Sequence, residues 1–134
     1  MTTRRASCSC GKLQVVCEGE PVRTAMCHCF ECQRRTGAVF GNQAFFNRQQ
    51  VTSISGNSAQ YTRLSDAGRS VTFRFCATCG STVYWEAEAL PDLIAVAVGS
   101  FADPTFAAPE LSVWERRRHD WVSPLFDMAI QHSD

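Results

Sequence analysis

Two segments of the chain alternate apolar and polar residues. Residues 12–18 carry apolar side chains at every second position, and residues 71–75 repeat the pattern. A period of two places the apolar side chains on one face of an extended chain, so both segments are predicted to be half-buried β-strands. Both strands adjoin groups of closely spaced cysteines.

Longer apolar stretches predict three further strands, at residues 38–46, 82–85 and 93–98. A Ser-Gly-Asn sequence at residues 55–57 signals a turn. Helix is scarce: one short turn is predicted over residues 31–36, ending at Gly37, which can take the left-handed cap conformation. We therefore predict a single, mainly β domain with little helix.

The chain is 134 residues long, with 45% hydrophobic and 19% charged residues. A chain of this length folds as one domain and buries enough surface to form a core without cross-links. No apolar run approaches the roughly 20 residues of a membrane span, and none follows the N-terminal arginines. We expect a cytoplasmic protein with no membrane partner. In the cytoplasm thiols stay reduced.

Positive and negative charges balance, at thirteen basic and thirteen acidic residues. Nucleic-acid binding normally needs an excess of positive charge over the domain, so we expect no nucleic-acid partner. Among the basic residues only Lys12 is lysine. Arginine is favoured where planar anions are bound, although a bias in composition explains the same count.

Seven of the eight cysteines fall into three tight groups, and only Cys17 stands alone. The groups are Cys8-x-Cys10, Cys27-x-Cys29-x-x-Cys32 and Cys76-x-x-Cys79. Disulfides seldom join cysteines one or two residues apart, because so small a ring strains the bridge. A tight turn can instead direct two sulfurs at one zinc ion, so the grouping predicts metal binding.

The two cysteine pairs predict one closed four-sulfur site of the structural kind. In each pair a glycine, Gly11 or Gly80, follows the second cysteine and allows the tight turn of a zinc knuckle. The alternative for Cys76 and Cys79 is a redox Cys-x-x-Cys motif. That motif normally precedes a helix, whereas predicted strands flank this one.

The remaining triplet, Cys27, Cys29 and Cys32, supplies one ligand fewer than a closed zinc shell needs. Three thiolates make zinc a poor generator of hydroxide, but they leave a position where an incoming thiol would bind and lose its proton. Arg34 and Arg35 follow on the predicted helical turn and are our candidates for binding a substrate carboxylate, Arg34 first.

Two alternatives for the triplet remain open. Cys17 or His28 could complete the shell and make the site structural. Against this, His28 lies between two ligands and should point away from the metal, while Cys17 shares an apolar strand face with Val15 and is expected in the core. A zinc deaminase would need a His-x-Glu partner to its Cys-x-x-Cys motif, and this sequence has none.

Joined in this order, the cysteine motifs resemble the glutathione-dependent formaldehyde-activating enzyme family, which also includes centromere protein V. The resemblance runs from about Ser7 to Trp121. It is carried by Cys8-x-Cys10-Gly11, Cys27-His28-Cys29-x-x-Cys32-Gln33-Arg34-x-Thr36-Gly37 and Phe75-Cys76-x-x-Cys79-Gly80.

The resemblance implies an Mss4-like fold of twisted antiparallel sheets with zinc-bearing loops. It also implies two zinc ions per chain. Because an open site with three ligands loses metal more readily than a closed one, we expect partial occupancy of the second. The implied ligands are Cys8, Cys10, Cys76 and Cys79 for the first and Cys27, Cys29 and Cys32 for the second. In the enzyme that names the family, glutathione meets the second zinc and is joined to formaldehyde as S-hydroxymethylglutathione, which is carbon-sulfur lyase chemistry run toward synthesis.

The resemblance places the zinc domain at residues 7–125, with a flexible N-terminus at residues 1–6 and a C-terminal tail at residues 126–134. The sequence departs from many relatives at one point. They have a histidine shortly before a late aromatic segment, whereas this chain has Ser112 before Trp114 and reaches His119 only later.

Two functions of different classes follow. The first is an enzyme that activates glutathione or another small thiol at the three-cysteine zinc for reaction with an aldehyde. The second is a non-catalytic binding module, because fold alone does not decide function. A pocket over the triplet favours the enzyme, and a broad exposed aromatic surface with Trp85, Trp114 or Trp121 favours the binding module.

Overall fold

The computed structural model describes residues 1–65, 67–122 and 131–134. Within these ranges the chain forms two β-sheets and one α-helix. The smaller sheet has three antiparallel strands in the order β1-β2-β5. Its strands are β1 (Thr3–Ser7), β2 (Gln14–Glu18) and β5 (Val51–Ser55).

The larger sheet has eight strands in the order β11-β10-β3-β4-β9-β8-β7-β6. Its strands are β3 (Arg23–Cys27), β4 (Gly41–Asn47), β6 (Ser58–Leu64), β7 (Ser70–Cys76), β8 (Thr82–Ala87), β9 (Leu93–Ala97), β10 (Leu111–Val113) and β11 (Gln131–His132). Neighbours are antiparallel except that β10 runs parallel to both β3 and β11. The parallel pairing brings the late segment of the chain beside the end of β3.

The helix α1 (Phe30–Thr36) has the short length that the sequence predicts. Cys29 caps its N-terminus, where the Sγ atom accepts a hydrogen bond from the Cys32 backbone N–H, and Gly37 ends it with φ 71°. Short 3₁₀ helices include Arg48–Gln50, Val98–Phe101 and Glu115–Arg117. The mainly β prediction is confirmed.

The main core lies between the two sheets. Its fully buried side chains come from both of them, among them Leu13 and Val15 next to Phe46 and Val96. A second, smaller core of Phe73, Trp85 and Ala95 lies within the larger sheet alone. At about 25 cal/mol per Å² of buried apolar surface, these layers supply most of the driving force for folding.

The N-terminal boundary differs from the prediction. Residues 3–6 are not a flexible segment, because β1 pairs along its whole length with β2 and Ala6 is fully buried in the main core. The boundary predicted between residues 125 and 126 lies outside the described residues. Beyond it, Gln131 and His132 form β11, so this part of the predicted tail belongs to the larger sheet. Among the described residues, no helix has the length and apolar character needed to cross a membrane.

Candidate active site

Four cysteines from two distant turns meet at the end of the main core. The ligand atoms of Cys8, Cys10, Cys76 and Cys79 all lie within 4.8 Å of one another. The Cys8 and Cys10 sulfurs are 3.7 Å apart, and those of Cys10 and Cys76 are 3.6 Å apart. An ideal tetrahedron with metal–sulfur bonds of about 2.3 Å spaces its sulfurs by about 3.8 Å, so the group could hold one metal ion.

Backbone N–H groups converge on these sulfurs. The Cys76 sulfur accepts from Thr78 N at 3.3 Å and from Cys79 N at 3.5 Å, which lowers the pKa of the Cys76 thiol. The tight turn needed for these contacts ends at Gly80, with φ 80°, a conformation that costs glycine little. The Ser81 hydroxyl holds the pKa of Cys79 at about 5. The lowered pKa values of Cys76 and Cys79 favour deprotonation of these two thiols, which metal binding requires.

The second group, Cys27, Cys29 and Cys32, is built by the turn from β3 into α1. Cys27 ends the strand, Cys29 caps the helix, and Cys32 lies one turn into it. Their sulfurs also lie within 4.8 Å of one another. Cys27 and Cys32 are buried and Cys29 is half-buried, so Cys29 is the most accessible of the three.

Hydrogen bonds within this group concentrate negative charge on one sulfur. The thiols of Cys27 and Cys32 lower the pKa of Cys29 to about 2, while the contact with Cys29 raises the pKa of Cys27. The group could bind a metal ion through its three sulfurs.

Cys17 and His28 lie apart from this group, as the sequence predicts. Cys17 is fully buried in the main core. The Nε2 atom of His28 is instead 3.0 Å from Oγ of Ser112 on β10, and burial lowers the pKa of His28. Neither joins the three sulfurs in a metal-binding group among the described residues.

Arg34 and Arg35 leave α1 in different directions. The Arg34 side chain is 72% exposed and pairs with Glu31 at 3.1 Å. The Arg35 guanidinium lies over the Trp85 ring, 4.3 Å from its centroid. A Cβ atom built on Gly41 would be 2.7 Å from Arg35 Nη2 and 3.6 Å from Cys32 Sγ, so Arg35 lies beside the three-cysteine group.

Three adjoining cavities cover this part of the surface. One, of about 260 Å³, is lined by Cys29, Arg34, Arg63 and Arg117, together with Phe30, Glu31, Ser65 and Trp114. It shares Glu31, Arg34 and Arg63 with a cavity of about 360 Å³. That cavity in turn shares Arg35, Gly80 and Thr82 with a cleft of about 920 Å³, which reaches Cys8 and Cys79. We call the three together the groove. It runs from one cysteine group to the other.

The sequence profile described as "Glutathione-dependent formaldehyde-activating enzyme" matches residues 3–117, which include both cysteine groups. The chain belongs to this family. The family membership confirms the resemblance drawn from the cysteine motifs. It also fits the position of β1, since the match begins at the first residue of that strand.

A solved structure supports the fold of this family member. A crystal structure of a Rhodobacter sphaeroides protein, determined in a structural genomics programme, superposes with a TM-score of 0.58 and 18% sequence identity. The match covers 97% of this chain and 99% of the other. At this identity the likeness shows the fold alone. No curated protein sequence matches the chain.

Sequence reasoning missed Arg63 and Arg117 as residues of the groove, and it considered Trp114 only as part of an exposed docking surface. Arg63 on β6 and Arg117 after β10 are far from Cys29 in sequence. The pairing of β10 with β3 brings Arg117 near Cys29, and Arg63 lines the same cavity although β6 is an edge strand of the larger sheet. Trp114 has a positive φ of 57° and lines the same cavity. A tryptophan in this conformation is uncommon and often marks a functional site, but it leaves no signal in the sequence.

Proposed function

We propose that this protein is a zinc-dependent enzyme of the carbon-sulfur lyase type, which joins glutathione or another small thiol to formaldehyde or a related aldehyde. Both cysteine groups bind zinc in this proposal, the four-cysteine group as a structural site and the three-cysteine group as the catalytic one. The observation that carries the proposal is that Cys29 opens into a cavity lined by three arginines.

The donor sets fit zinc. Four thiolates at near-tetrahedral spacing match a closed structural zinc, and three thiolates match a zinc with one ligand position left for substrate. Soft thiolate ligands select against magnesium and calcium, which take oxygen. The cytoplasm, where thiols stay reduced, is the compartment we propose for such sites.

When bound, a zinc at the three-cysteine group would lower the pKa of an incoming thiol and hold it as a thiolate. In the reaction, the substrate sulfur attacks the aldehyde carbon and a carbon–sulfur bond forms. The carbonyl π electrons move to oxygen, which takes up a proton equivalent to the one that the thiol released. With formaldehyde the product is a hydroxymethyl thioether, which contains every atom of the thiol and of the aldehyde.

The arginines supply recognition and charge compensation. Arg34, Arg63 and Arg117 surround the cavity beside Cys29, so a carboxylate on the thiol substrate would find several donors there. Arg63 also stabilises the Cys29 thiolate electrostatically, which contributes to its lowered pKa. The Arg35 guanidinium lies next to Cys32, the third cysteine of the group. Both arginines that follow the triplet thus contact the groove.

The tryptophans favour the enzyme over a binding module. Trp85 is 7% exposed and lies under Arg35, and Trp114 lines the cavity with Cys29. Only Trp121, at 68% exposure, is open to solvent among the three. The three tryptophans therefore do not form a broad exposed surface, whereas a pocket at the triplet is present.

Calorimetric titration of zinc-loaded protein tests the proposal. Glutathione should bind and release a proton, seen as a heat that depends on the ionisation enthalpy of the buffer, while S-methylglutathione should bind more weakly and release none. The formation of S-hydroxymethylglutathione must be measured above the uncatalysed rate, because thiols add to formaldehyde unaided. Equal binding of both ligands, or of neither, would exclude thiol activation.

A further inference from the structure

Gln33 on α1 connects the three-cysteine turn to the segment that follows β10. Its side-chain amide donates one hydrogen bond to the His28 carbonyl at 2.9 Å and another to the Arg117 carbonyl at 3.2 Å. Its Oε1 atom lies 3.2 Å from Nε2 of His119. Gln33 is half-buried and lines none of the three cavities of the groove. It therefore joins elements beside the Cys29 cavity without lining that cavity itself.

The three contacts together assign the orientation of this amide. Carbonyl oxygens only accept hydrogen bonds, so the atom that faces His28 and Arg117 must be the Nε2 donor. Oε1 is then left as an acceptor, and Nε2 of His119 donates to it. An amide with three partners in fixed directions holds one geometry between α1 and residues 117–119.

The Arg117 carbonyl lies at the end of a single-turn 3₁₀ helix, Glu115–Arg117. Carbonyl groups at the end of a helix have no partner within it, and here the Gln33 amide supplies one. The Arg117 guanidinium lies over the Phe30 ring, 4.4 Å from its centroid, and lines the cavity that contains Cys29. Gln33 therefore fixes the backbone from which this guanidinium reaches the cavity.

The other contacts of Gln33 are with the cysteine turn. The His28 carbonyl, which accepts from the side chain, lies between Cys27 and Cys29 in sequence. The Gln33 backbone N–H donates to the Cys29 carbonyl at 3.0 Å. Backbone and side chain of Gln33 thus both bond to the turn that carries Cys29, and its contact with Arg117 links that turn to a cation of the cavity.

We propose that Gln33 is a positioning residue, which places the Arg117 guanidinium beside Cys29 and so sets the preference of the site for a thiol with a carboxylate over its neutral analogue. The inference rests on the proposed function, in which the thiol binds at the three-cysteine group. Among the described residues no carboxylate pairs with Arg117, whereas Arg34 in the same cavity pairs with Glu31. Because a bidentate arginine–carboxylate pair depends on geometry, a displaced Arg117 backbone weakens it.

Two thiols that differ only in charge test this role. One is glutathione, and the other is its diamide, in which both carboxylates are carboxamides. In titrations of full-length, zinc-loaded protein, Gln33→Met should weaken glutathione about tenfold, the usual scale for one hydrogen bond to a charged group, and leave the diamide unchanged. Gln60→Met is the matched control, because Gln60 is exposed on β6 and lines none of the three cavities. Equal affinity of the wild type for both thiols would overturn the proposal without any variant.

A double-mutant cycle shows whether Gln33 acts through Arg117. Arg117→Gln alone should also weaken glutathione about tenfold and spare the diamide. Adding Gln33→Met to Arg117→Gln should then lower glutathione affinity by less than about twofold, because the guanidinium that Gln33 positions is already absent. Independent, additive losses would show that Gln33 does not act through Arg117. Zinc content and thermal unfolding show that each variant is folded and loaded.

The outcomes separate this inference from the proposed function. If Gln33→Met weakens glutathione and the diamide equally, Gln33 supports only the cysteine turn and the inference is wrong, although thiol activation can still hold. If S-methylglutathione binds the wild type as tightly as glutathione and Gln33→Met weakens both but spares the diamide, the role of Gln33 stands and thiol activation is wrong. If no ligand binds the wild type, both are wrong.

Discussion

The Nε2 atom of His28 lies 3.0 Å from the Oγ atom of Ser112, and both residues are completely buried. The contact joins the three-cysteine segment to β10, and the His28 backbone N–H adds a hydrogen bond to the Val113 carbonyl at 3.1 Å. Ser112 thus holds the imidazole that lies between Cys27 and Cys29.

Replacing Ser112 should loosen this connection. In Ser112→Ala the buried His28 ring nitrogen loses this partner, so we expect the free energy of unfolding to fall by about 1–3 kcal/mol. Urea denaturation measures this change in the free energy of unfolding. Ser53→Ala, at an exposed position of β5, should change stability by less than about 0.5 kcal/mol. Equal stability of the two variants would show that the His28–Ser112 contact contributes nothing.

The substitution Cys76→Ser should strongly destabilise the protein. If the four-cysteine group holds zinc, folding and metal binding are linked, and structural zinc sites contribute roughly 10–16 kcal/mol of apparent binding energy. We expect insoluble protein or a large fall in melting temperature, together with loss of one zinc per chain by elemental analysis. A soluble variant that keeps its metal content and melting temperature would exclude the assignment.

Cys29→Ala should instead remove only the second zinc. Cys29 is half-buried at the start of α1 and faces a cavity, so its loss leaves the main core intact. We expect at most one zinc per chain with near-native circular dichroism. Cys17→Ala is the matched control and should keep both zinc ions, because Cys17 lies in the core. Global unfolding of Cys29→Ala would make this site structural.

Gly41→Ala tests the packing between Arg35 and the triplet. The added methyl group would lie 2.7 Å from Arg35 Nη2 and 3.3 Å from Cys32 Cβ, so one of them must move. We expect a loss of about 1–3 kcal/mol in stability and lower zinc occupancy. Gly99→Ala, where nothing lies within 4 Å, should have little effect. Matching melting curves and zinc contents for the two variants would contradict the contact.

Sequence patterns predicted the elements that bury one face only, or that end at a recognisable capping residue. The alternation in β2 and the end of α1 at Gly37 are examples. The strand β3 was missed because its last four residues are all buried, whichever face of the strand their side chains occupy. Its sequence therefore does not alternate between apolar and polar residues. The strand β6 was missed for the opposite reason, since most of its residues are exposed. Neither has a one-sided pattern.

The cysteine groups could be predicted because their ligands are close in sequence, whereas the groove could not. Arg63 and Arg117 are brought beside Cys29 by the tertiary fold, and the choice of Trp85 as the partner of Arg35 depends on side-chain directions across the sheet. Arg34 and Arg35, adjacent on the helical turn, have different partners: Glu31 for Arg34 and the Trp85 ring for Arg35. Which of them lies beside Cys32 is set by the space that Gly41 leaves.

The four-cysteine group brings Cys10 and Cys76 together across 66 positions of sequence and two different sheets. A covalent bridge of that span removes about 4 kcal/mol of conformational entropy from an unfolded chain. With zinc bound, the group is a cross-link that spans the same stretch of sequence. It forms and breaks by binding and release of the metal ion rather than by oxidation and reduction. The domain therefore has the tether of a disulfide protein with all eight cysteines free of disulfides. The moment at which metal arrives during folding then decides which contacts form under that constraint.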